Sequence, residues 1–167
     1  KSKLFLTSAN SINVARWLPQ QLYYLLAWKQ WPFKDQPPVI SVPSGNFGNI
    51  CAGLIAFKSG LPVEHFIAAC NINDVVPRYL HGEEYTPRIA MATISNAMDV
   101  GDPSNFVRIM ELFDKSVPDL SKMLSSESIT DKETAETIQR IFSNSGYLPD
   151  PHGAVGYLAL ERYLAEH

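Results

Sequence analysis

A short loop rich in glycine and asparagine carries the residues most able to do chemistry. It follows an apolar run at residues 39–42 and leads into a segment of small apolar residues that favours a helix. The first N–H groups of a helix have no intrahelical acceptor, and the helix dipole is positive there, so such a turn can bind phosphate. Glycine lets the backbone approach an anion closely, and asparagine tolerates left-handed geometry and adds side-chain donors. The residues predicted to hold a phosphate are Gly45, Asn46, Phe47, Gly48 and Asn49.

Neither of the two common nucleotide-binding motifs fits this loop. The chain has no Gly-x-Gly-x-x-Gly sequence at this position, and Lys58 lies too far along the helix for a Walker-type ending. A tight turn without a ligand is therefore the alternative interpretation. The position of the loop favours a site, because ligands of parallel sheets bind beyond the carboxyl ends of the strands.

The segments that flank the loop predict an α/β fold. Residues 39–42 and 66–70 are short and apolar, which is typical of buried parallel strands. Between them, residues 50–59 predict a helix that ends at Gly60. Strand, helix and strand form one βαβ unit, which is nearly always right-handed.

Helices are predicted on both sides of this unit. The first covers residues 11–30, with Asn10 or Ser11 as its cap and a kink at Pro19. Only two or three strands accompany five or six helices, so the sheet is expected to be incomplete. The other predicted helices run from Asn73 or Asp74 to Leu80, over residues 103–116, over 131–144 with a Thr130–Glu133 capping box, and over 151–165, while residues 82–104 are predicted as loops around a short segment at 89–94.

Composition excludes several classes of partner. The 167 residues carry 14 Lys and Arg against 17 Asp and Glu, without a basic run, which argues against nucleic acid or anionic lipid. No apolar stretch approaches the roughly 20 residues that cross a bilayer.

Cys51 and Cys70 match neither a disulfide framework nor a zinc spacing, and no metal site is predicted. Both cysteines are expected to be reduced and buried, and with no signal peptide at the start a cytoplasmic location is expected.

The loop resembles the phosphate-binding loop of the threonine synthases, a family of pyridoxal-phosphate enzymes with the tryptophan-synthase-β-like fold. Several other segments are similar to that family and occur in the family's order. Serine dehydratases and cysteine synthases share the fold but carry differently built glycine-rich loops. The similar segments outside the loop are residues 8–13 with Arg16, Gln20, Tyr23 and Tyr24, most of residues 66–81, residues 95–100 with Pro103 and Asn105, and residues 151–155.

The resemblance implies a three-layer α/β domain that binds pyridoxal 5'-phosphate and converts O-phospho-L-homoserine and water to L-threonine and phosphate. It implies that residues 45–49 hold the cofactor phosphate, mainly by backbone N–H groups, within a domain over residues 38–167 that follows a helical lead-in over 1–37. The resemblance implies substrate contacts for Asn10, Ser11, Asn13 and Arg16, and the alternative for Arg16 is an exposed charge on a helix face.

Four further residues have open roles. Asn96, Asp99 and Asn105 could either line the site or cap a loop, and His152 could approach the site.

The lysine that the family bonds to its cofactor as a Schiff base has no counterpart here. In the family it lies well upstream of the phosphate loop, in a Phe-Lys-Asp context. Lys34 has those neighbours, but it lies about ten residues before the loop in a proline-bounded connection, so we predict a solvated loop lysine. The catalytic lysine is expected upstream of Lys1, and the partner of the pyridine nitrogen beyond His167. The chain is therefore expected to be an inactive internal piece of a longer enzyme.

Two functions of other classes remain open at this point. A non-catalytic module could bind a small phosphorylated ligand through residues 45–49, which needs no lysine but leaves the other similar segments unexplained. A partner-binding domain could use the loop only as a turn. In each case a short sheet leaves unpaired strand edges, so self-association through an exposed edge is expected.

Overall fold

The described part of the chain, residues 11–167 of a computed structural model, is built on a parallel sheet. The sheet has three strands in the order β1-β2-β3, and both neighbours of the central strand run parallel to it. The predicted α/β class with a parallel sheet is confirmed. The strands are β1 (Val39–Pro43), β2 (His65–Cys70) and β3 (Leu124–Ser128).

Helices cover both faces of this sheet. In chain order they are α1 (Val14–Trp17), α2 (Gln21–Gln30), α3 (Gly48–Lys58), α4 (Val75–Leu80), α5 (Phe106–Leu112), α6 (Val117–Ser121), α7 (Asp131–Ser145) and α8 (Pro151–Glu166), with 3-10 turns at Leu18–Gln20 and Asn96–Met98.

The central strand β2 shows why the domain has three layers. All six of its residues are buried, and alternate side chains point to opposite faces. Phe66 and Ala68 pack in the cluster that includes α3, whereas Ile67 and Ala69 pack in a second cluster with α8. The two clusters make up the core, and the strand between them is apolar over residues 66–70 because both of its faces are covered.

The first predicted helix is divided at Pro19, as expected. The 3-10 turn Leu18–Gln20 separates α1 from α2. The prediction that Ser11 caps this helix is wrong. Asn13 caps α1, because its side chain accepts a hydrogen bond from the Ala15 N–H at 3.0 Å. Ser11 is engaged instead with the loop before α3. Asn10, the other predicted cap, lies outside the described residues.

The α2 helix packs on the βαβ unit. Tyr24 of α2 and Trp17 of α1 belong to the same buried cluster as α3. The division into a lead-in over residues 1–37 and a domain over 38–167 stays a prediction.

The C-terminal half differs most from the expectation. The helix predicted over residues 103–116 is shorter, because Asp114 and Lys115 take positive φ values of 51° and 60° and end α5 in a turn. The strand β3 has no predicted counterpart, since three of its five residues are serine. Residues 89–94, where a short segment was expected, have irregular backbone.

Other local predictions are confirmed. The predicted capping box is present. The Thr130 hydroxyl accepts a hydrogen bond from the Glu133 N–H, and the Glu133 carboxylate accepts one from the Thr130 N–H. Cys51 and Cys70 are free and buried, and burial raises their thiol pKa values to about 11 and about 12. Both thiols are thus protonated at neutral pH. Within residues 11–167, no helix is long and apolar enough to span a membrane.

The outer edge of β1 is lined by apolar side chains. A groove of about 450 Å³ runs between β1 and α2, with Tyr23, Trp28 and Ile40 among its lining residues. Leu22 and Leu26 of α2 are each more than half exposed. These surfaces are consistent with the expected self-association, which remains a prediction.

Gly53 generates a test of how tightly the layers pack. A Cβ at this position would lie 2.7 Å from the Tyr24 ring and 2.8 Å from the Phe66 ring. We expect Gly53→Ala to destabilise the protein by about 1–3 kcal/mol, because overpacking forces neighbours out of place. The measurement is urea unfolding of the purified protein.

Gly153 provides the matched control for that substitution. It is an exposed residue of α8, and a Cβ there would meet nothing closer than 3.9 Å. Gly153→Ala should leave stability unchanged or raise it by up to about 1 kcal/mol, as alanine favours helix. Equal effects of the two substitutions would contradict the packing described here.

Glu133 generates a prediction about acid stability. Hydrogen bonds from Thr130, and then its interaction with Arg162, lower the pKa of Glu133 from the usual 4.5 to about 2. A depressed folded-state pKa contributes stability above pH 4.5 that is lost as the pH falls towards 2. Carbon-13 NMR of the Glu133 carboxyl should show no titration near pH 4.5. Titration of Glu133 near pH 4.5 would refute the assignment.

Candidate functional site

The loop between β1 and α3 lies at the carboxyl end of the sheet. Ser44 continues the strand pairing, because its N–H donates to the Ala69 carbonyl at 2.8 Å. Phe47 is the N-cap of α3 and takes a left-handed conformation with φ of 60°. Its ring is buried edge-on against Phe106, with the ring centroids 5.8 Å apart. The left-handed turn thus places a large side chain in the core and brings the chain directly onto the helix.

The backbone N–H groups of this loop are available to a ligand. Within the described part of the chain, the N–H groups of residues 45–49 make no hydrogen bond. The first loop carbonyl to accept a helical bond is that of Phe47, from the Cys51 N–H at 3.0 Å. These N–H groups lie at the positive end of an 11-residue helix. The arrangement fits a phosphate dianion.

Gly45 is the point of closest approach between the loop and its surroundings. A Cβ there would lie 2.7 Å from the Met98 Cα and 3.0 Å from the Ala97 carbonyl oxygen. No side chain fits into this gap without moving backbone. The 3-10 turn Asn96–Met98 therefore sets the position of the loop.

His152 of α8 holds the Asn96–Met98 turn in place through a hydrogen bond. Its Nε2 accepts a hydrogen bond from the Ala97 N–H at 3.2 Å, and its Nδ1 lies 3.2 Å from the Asp150 carboxylate. The ring therefore contacts the backbone that Gly45 packs against. His152 was expected to approach the site, and it contacts the turn behind the loop but not residues 45–49.

The Asn46 side chain is committed to other protein groups. Its Oδ1 accepts hydrogen bonds from the Ser104 N–H at 2.7 Å and the Ser104 hydroxyl at 2.9 Å. Its Nδ2 donates to the Ser11 hydroxyl oxygen. What Asn46 offers an anion is accordingly its backbone N–H.

Asn49 is fastened to α2. The Tyr24 hydroxyl donates to the Asn49 carbonyl oxygen at 3.0 Å and also contacts its side-chain oxygen. Burial, and then the neighbouring Cys51, raise the pKa of Tyr24 well above its usual value, so the hydroxyl keeps its proton. This contact holds the first turn of α3 from the α2 side.

Asp99 and Asn105 both prove to tie loops together. Asp99 accepts hydrogen bonds from the Thr93 N–H at 3.0 Å and from the Asn71 side chain at 2.8 Å, which orders residues 91–99. Asn105 is fully buried and donates to the Asn46 carbonyl at 2.9 Å. Asn96 is exposed in the 3-10 turn.

Sequence reasoning gave no role to Asn71, although it is central to this region. Asn71 is 1% exposed at the end of β2, and its amide also donates to the Thr93 hydroxyl at 2.9 Å. The signal that could have found it is its type and place, a polar residue directly after the apolar residues 66–70.

The residues implied for substrate contacts lie on either side of the start of α1. Asn13 caps that helix, and the Arg16 guanidinium is exposed in its last turn. Ser11 reaches the loop through Asn46. Asn10 is outside the described residues, so the structure brings Ser11 to the loop and leaves Asn13 with a local role.

Lys34 is exposed, as predicted. Its ammonium group donates to the Lys29 carbonyl at 3.3 Å and to that of Trp28, and it lies 4.5 Å from the Trp28 ring centroid. A cation at the end of α2 is stabilised by the helix dipole. In the part of the chain that the structure describes, no group of three His, Cys, Asp or Glu side chains could hold a metal ion.

Comparison with known proteins places this geometry in a family. A family model for pyridoxal-phosphate dependent enzymes matches residues 2–167. The chain is 49% identical over 160 residues to a threonine synthase of Haemophilus influenzae, covering 95% of this chain and 37% of that protein. It thus spans less than two-fifths of the length of that relative.

Solved structures agree with the sequence comparison. The crystal structure of threonine synthase from Escherichia coli matches with a TM-score of 0.86 at 45% identity, covering 94% of this chain and 36% of the other. The crystal structure of pyridoxal-phosphate-bound threonine synthase from Brucella melitensis matches with a TM-score of 0.86 at 35% identity, covering 94% and 39%.

The contact at Gly45 predicts how anion binding depends on the loop. Gly45→Ala would push the Cβ into the Met98 backbone and displace the N–H groups that follow, so we expect affinity for inorganic phosphate to fall about tenfold or more. Isothermal titration calorimetry on the purified protein measures it. Gly153→Ala, the same change in open space on α8, is the control. An unchanged affinity in Gly45→Ala would rule out this loop as the anion site.

Proposed function

The chain belongs to the family of pyridoxal-phosphate dependent enzymes, and from that premise we propose that it is the phosphate-loop portion of a threonine synthase. The parent enzyme would convert O-phospho-L-homoserine and water to L-threonine and phosphate, in the biosynthesis of threonine. The observation that carries the proposal is the row of free N–H groups at residues 45–49 on the end of α3. The identity to threonine synthases across nearly the whole chain supports it.

The cofactor phosphate would be held by the backbone of the loop. Five N–H groups at a helix N-terminus match the oxygens and the charge of a phosphate dianion without a lysine or an arginine. Gly45 allows the loop to lie close against the Met98 backbone. The Phe47 side chain is buried in the core and so leaves the N–H groups of the loop uncovered. When bound, pyridoxal phosphate supplies an electron sink for carbanions, while the protein supplies position and electrostatics.

The substrate phosphate would lie near the segment before α1. Arg16 is the cation among the residues proposed for this contact, and a guanidinium fork suits phosphate oxygens. Ser11 is placed beside the loop by its bond with Asn46. Asn10 and Asn13 remain proposed contacts, the latter beside its role as the cap of α1.

Catalysis would need residues from the rest of the parent protein. The exposed Lys34, held against Trp28 and the end of α2, is not proposed as the lysine that bonds the cofactor. We place that lysine, and the group that contacts the pyridine nitrogen, in the parent protein outside these 167 residues. The parent is proposed to act in the cytoplasm, and the portion described here is proposed to be inactive alone.

The main alternative is a non-catalytic domain that binds a small phosphorylated ligand through the same loop. It would share the free N–H groups of residues 45–49. It would not account for identity to threonine synthases that extends over 95% of the chain. A test must therefore measure turnover as well as binding.

The test uses the full-length protein that contains these residues. We expect it to bind pyridoxal phosphate, seen as a visible absorption band, and to release phosphate and threonine from O-phospho-L-homoserine. Phosphate is measured colorimetrically and threonine by chromatography. Cofactor binding without turnover would favour the alternative, and absence of cofactor binding would reject the proposal.

Lys34→Ala is the control for the catalytic lysine. Because Lys34 is exposed and bonded to the end of α2, its removal should leave the absorption band and the turnover rate within about twofold of wild type. Borohydride reduction followed by peptide mapping should find the trapped cofactor on another lysine. A cofactor adduct on Lys34 would refute this assignment.

A further inference from the structure

Asn105 connects two segments that the proposed function assigns to different phosphates. It is fully buried at the start of α5. Its Nδ2 donates to the Asn46 carbonyl at 2.9 Å in the loop and to the Ser11 carbonyl at 3.0 Å before α1. Its Oδ1 accepts from the Arg108 guanidinium. A side-chain amide has two N–H donors, and here each is used in a different segment.

Arg108 extends this connection by one residue. It lies one turn along α5, and its Nη2 donates to the Ile12 carbonyl at 2.8 Å. Its guanidinium also lies 5.7 Å from the Trp17 ring centroid, against α1. Two consecutive carbonyls before α1 are therefore held by the N-cap residue of α5 and by a side chain of the same helix.

Asn46 closes the arrangement into a ring. Its side chain bonds Ser11 on one side and Ser104, the neighbour of Asn105, on the other. Gly48 packs against the same amide, since a Cβ there would lie 3.3 Å from the Asn105 Nδ2. The loop, the start of α1 and the start of α5 thus hold one another through part-buried hydrogen bonds. The amide of the fully buried Asn105 would be costly to leave without partners.

We propose that Asn105 is a positioning residue that couples the cofactor-phosphate loop to the substrate-phosphate segment. The inference rests on the proposed function, in which residues 45–49 hold the cofactor phosphate and residues 10–16 contact the substrate phosphate. Asn105 touches neither phosphate. It sets the distance between the two segments, and the side-chain atom that does so is the donor Nδ2.

The test is Asn105→Asp in the full-length protein. Aspartate has the same shape and keeps the Arg108 contact, but it puts an oxygen where the two carbonyls need a donor. We expect the Kd for pyridoxal phosphate, from spectroscopic titration of the apoenzyme, to rise at least fivefold. We also expect the Kd for a phosphonate analogue of the substrate, measured with the cofactor saturating, to rise at least fivefold. The analogue carries a methylene in place of the ester oxygen, so its phosphorus group cannot leave.

Two neighbouring variants separate the arms of the ring. Ser104→Ala removes the hydroxyl bond to Asn46 and keeps the backbone N–H bond. It should weaken the cofactor at least twofold, with the analogue changed less than twofold. Arg108→Met removes the bonds to the Ile12 carbonyl and to the Asn105 Oδ1, and it leaves both Nδ2 donors of Asn105 in place. It should weaken the analogue at least twofold, with the cofactor changed less than twofold. A merely structural role for Asn105 would not produce this split. Circular dichroism checks that each variant folds.

Gly48→Ala is the second route to the same measurement should Asn105→Asp not fold. Its Cβ would press on the Asn105 amide, and both Kd values should rise at least twofold. The proposal is overturned if the folded Asn105→Asp, or in its place Gly48→Ala, weakens one ligand alone or neither. If the wild-type protein does not bind pyridoxal phosphate, the proposed function fails and this inference fails with it. If the wild-type protein binds both ligands and the folded Asn105→Asp weakens one ligand alone or neither, only the coupling is overturned.

Discussion

A backbone that is to bind an anion must turn its own side chains away from that anion. In the loop after β1 each residue meets this constraint differently. Gly45 has no side chain and lies against the Met98 backbone. Asn46 directs its amide to Ser104, and Phe47 buries its ring in the core through a left-handed turn. Within the described residues, the N–H groups of the turn have no hydrogen-bond acceptor, and they lie at the positive end of α3.

The loop is short, so its position has to come from the elements around it. Three contacts hold it from three directions. Tyr24 holds the first turn of α3 from the α2 side, the Asn96–Met98 turn presses on Gly45, and Asn105 holds the Asn46 carbonyl. All three supporting groups are uncharged. This suits a site for a dianion, because the helix end supplies the positive potential.

The irregular stretch between α4 and α5 is also held in place by uncharged and charged side chains that bond to its backbone and to one another. It leaves Ile89, Met91 and Ile94 exposed, and its backbone depends on the side chains of Asn71 and Asp99. His152 on α8 then fastens the Ala97 N–H. Polar residues that sequence reasoning assigned either to the site or to loop caps thus act one step behind the site. They fix the surface against which the loop packs.

The sequence by itself determined the local features of this protein. The strands around the loop, the division of the first helix at Pro19, the Thr130 capping box and the turn onto α3 all depend on neighbours within a few residues, and each was predictable. Only the tertiary structure decided that Leu124–Ser128 pairs as a strand, because a serine-rich segment becomes a strand through the partner it finds in β2. It likewise decided the role of Asn105, whose bonded partners at Ser11 and Asn46 lie 94 and 59 residues away in sequence. Residue type and spacing indicate which groups can bond, whereas the packing of α5 against the loop sets which partners they meet.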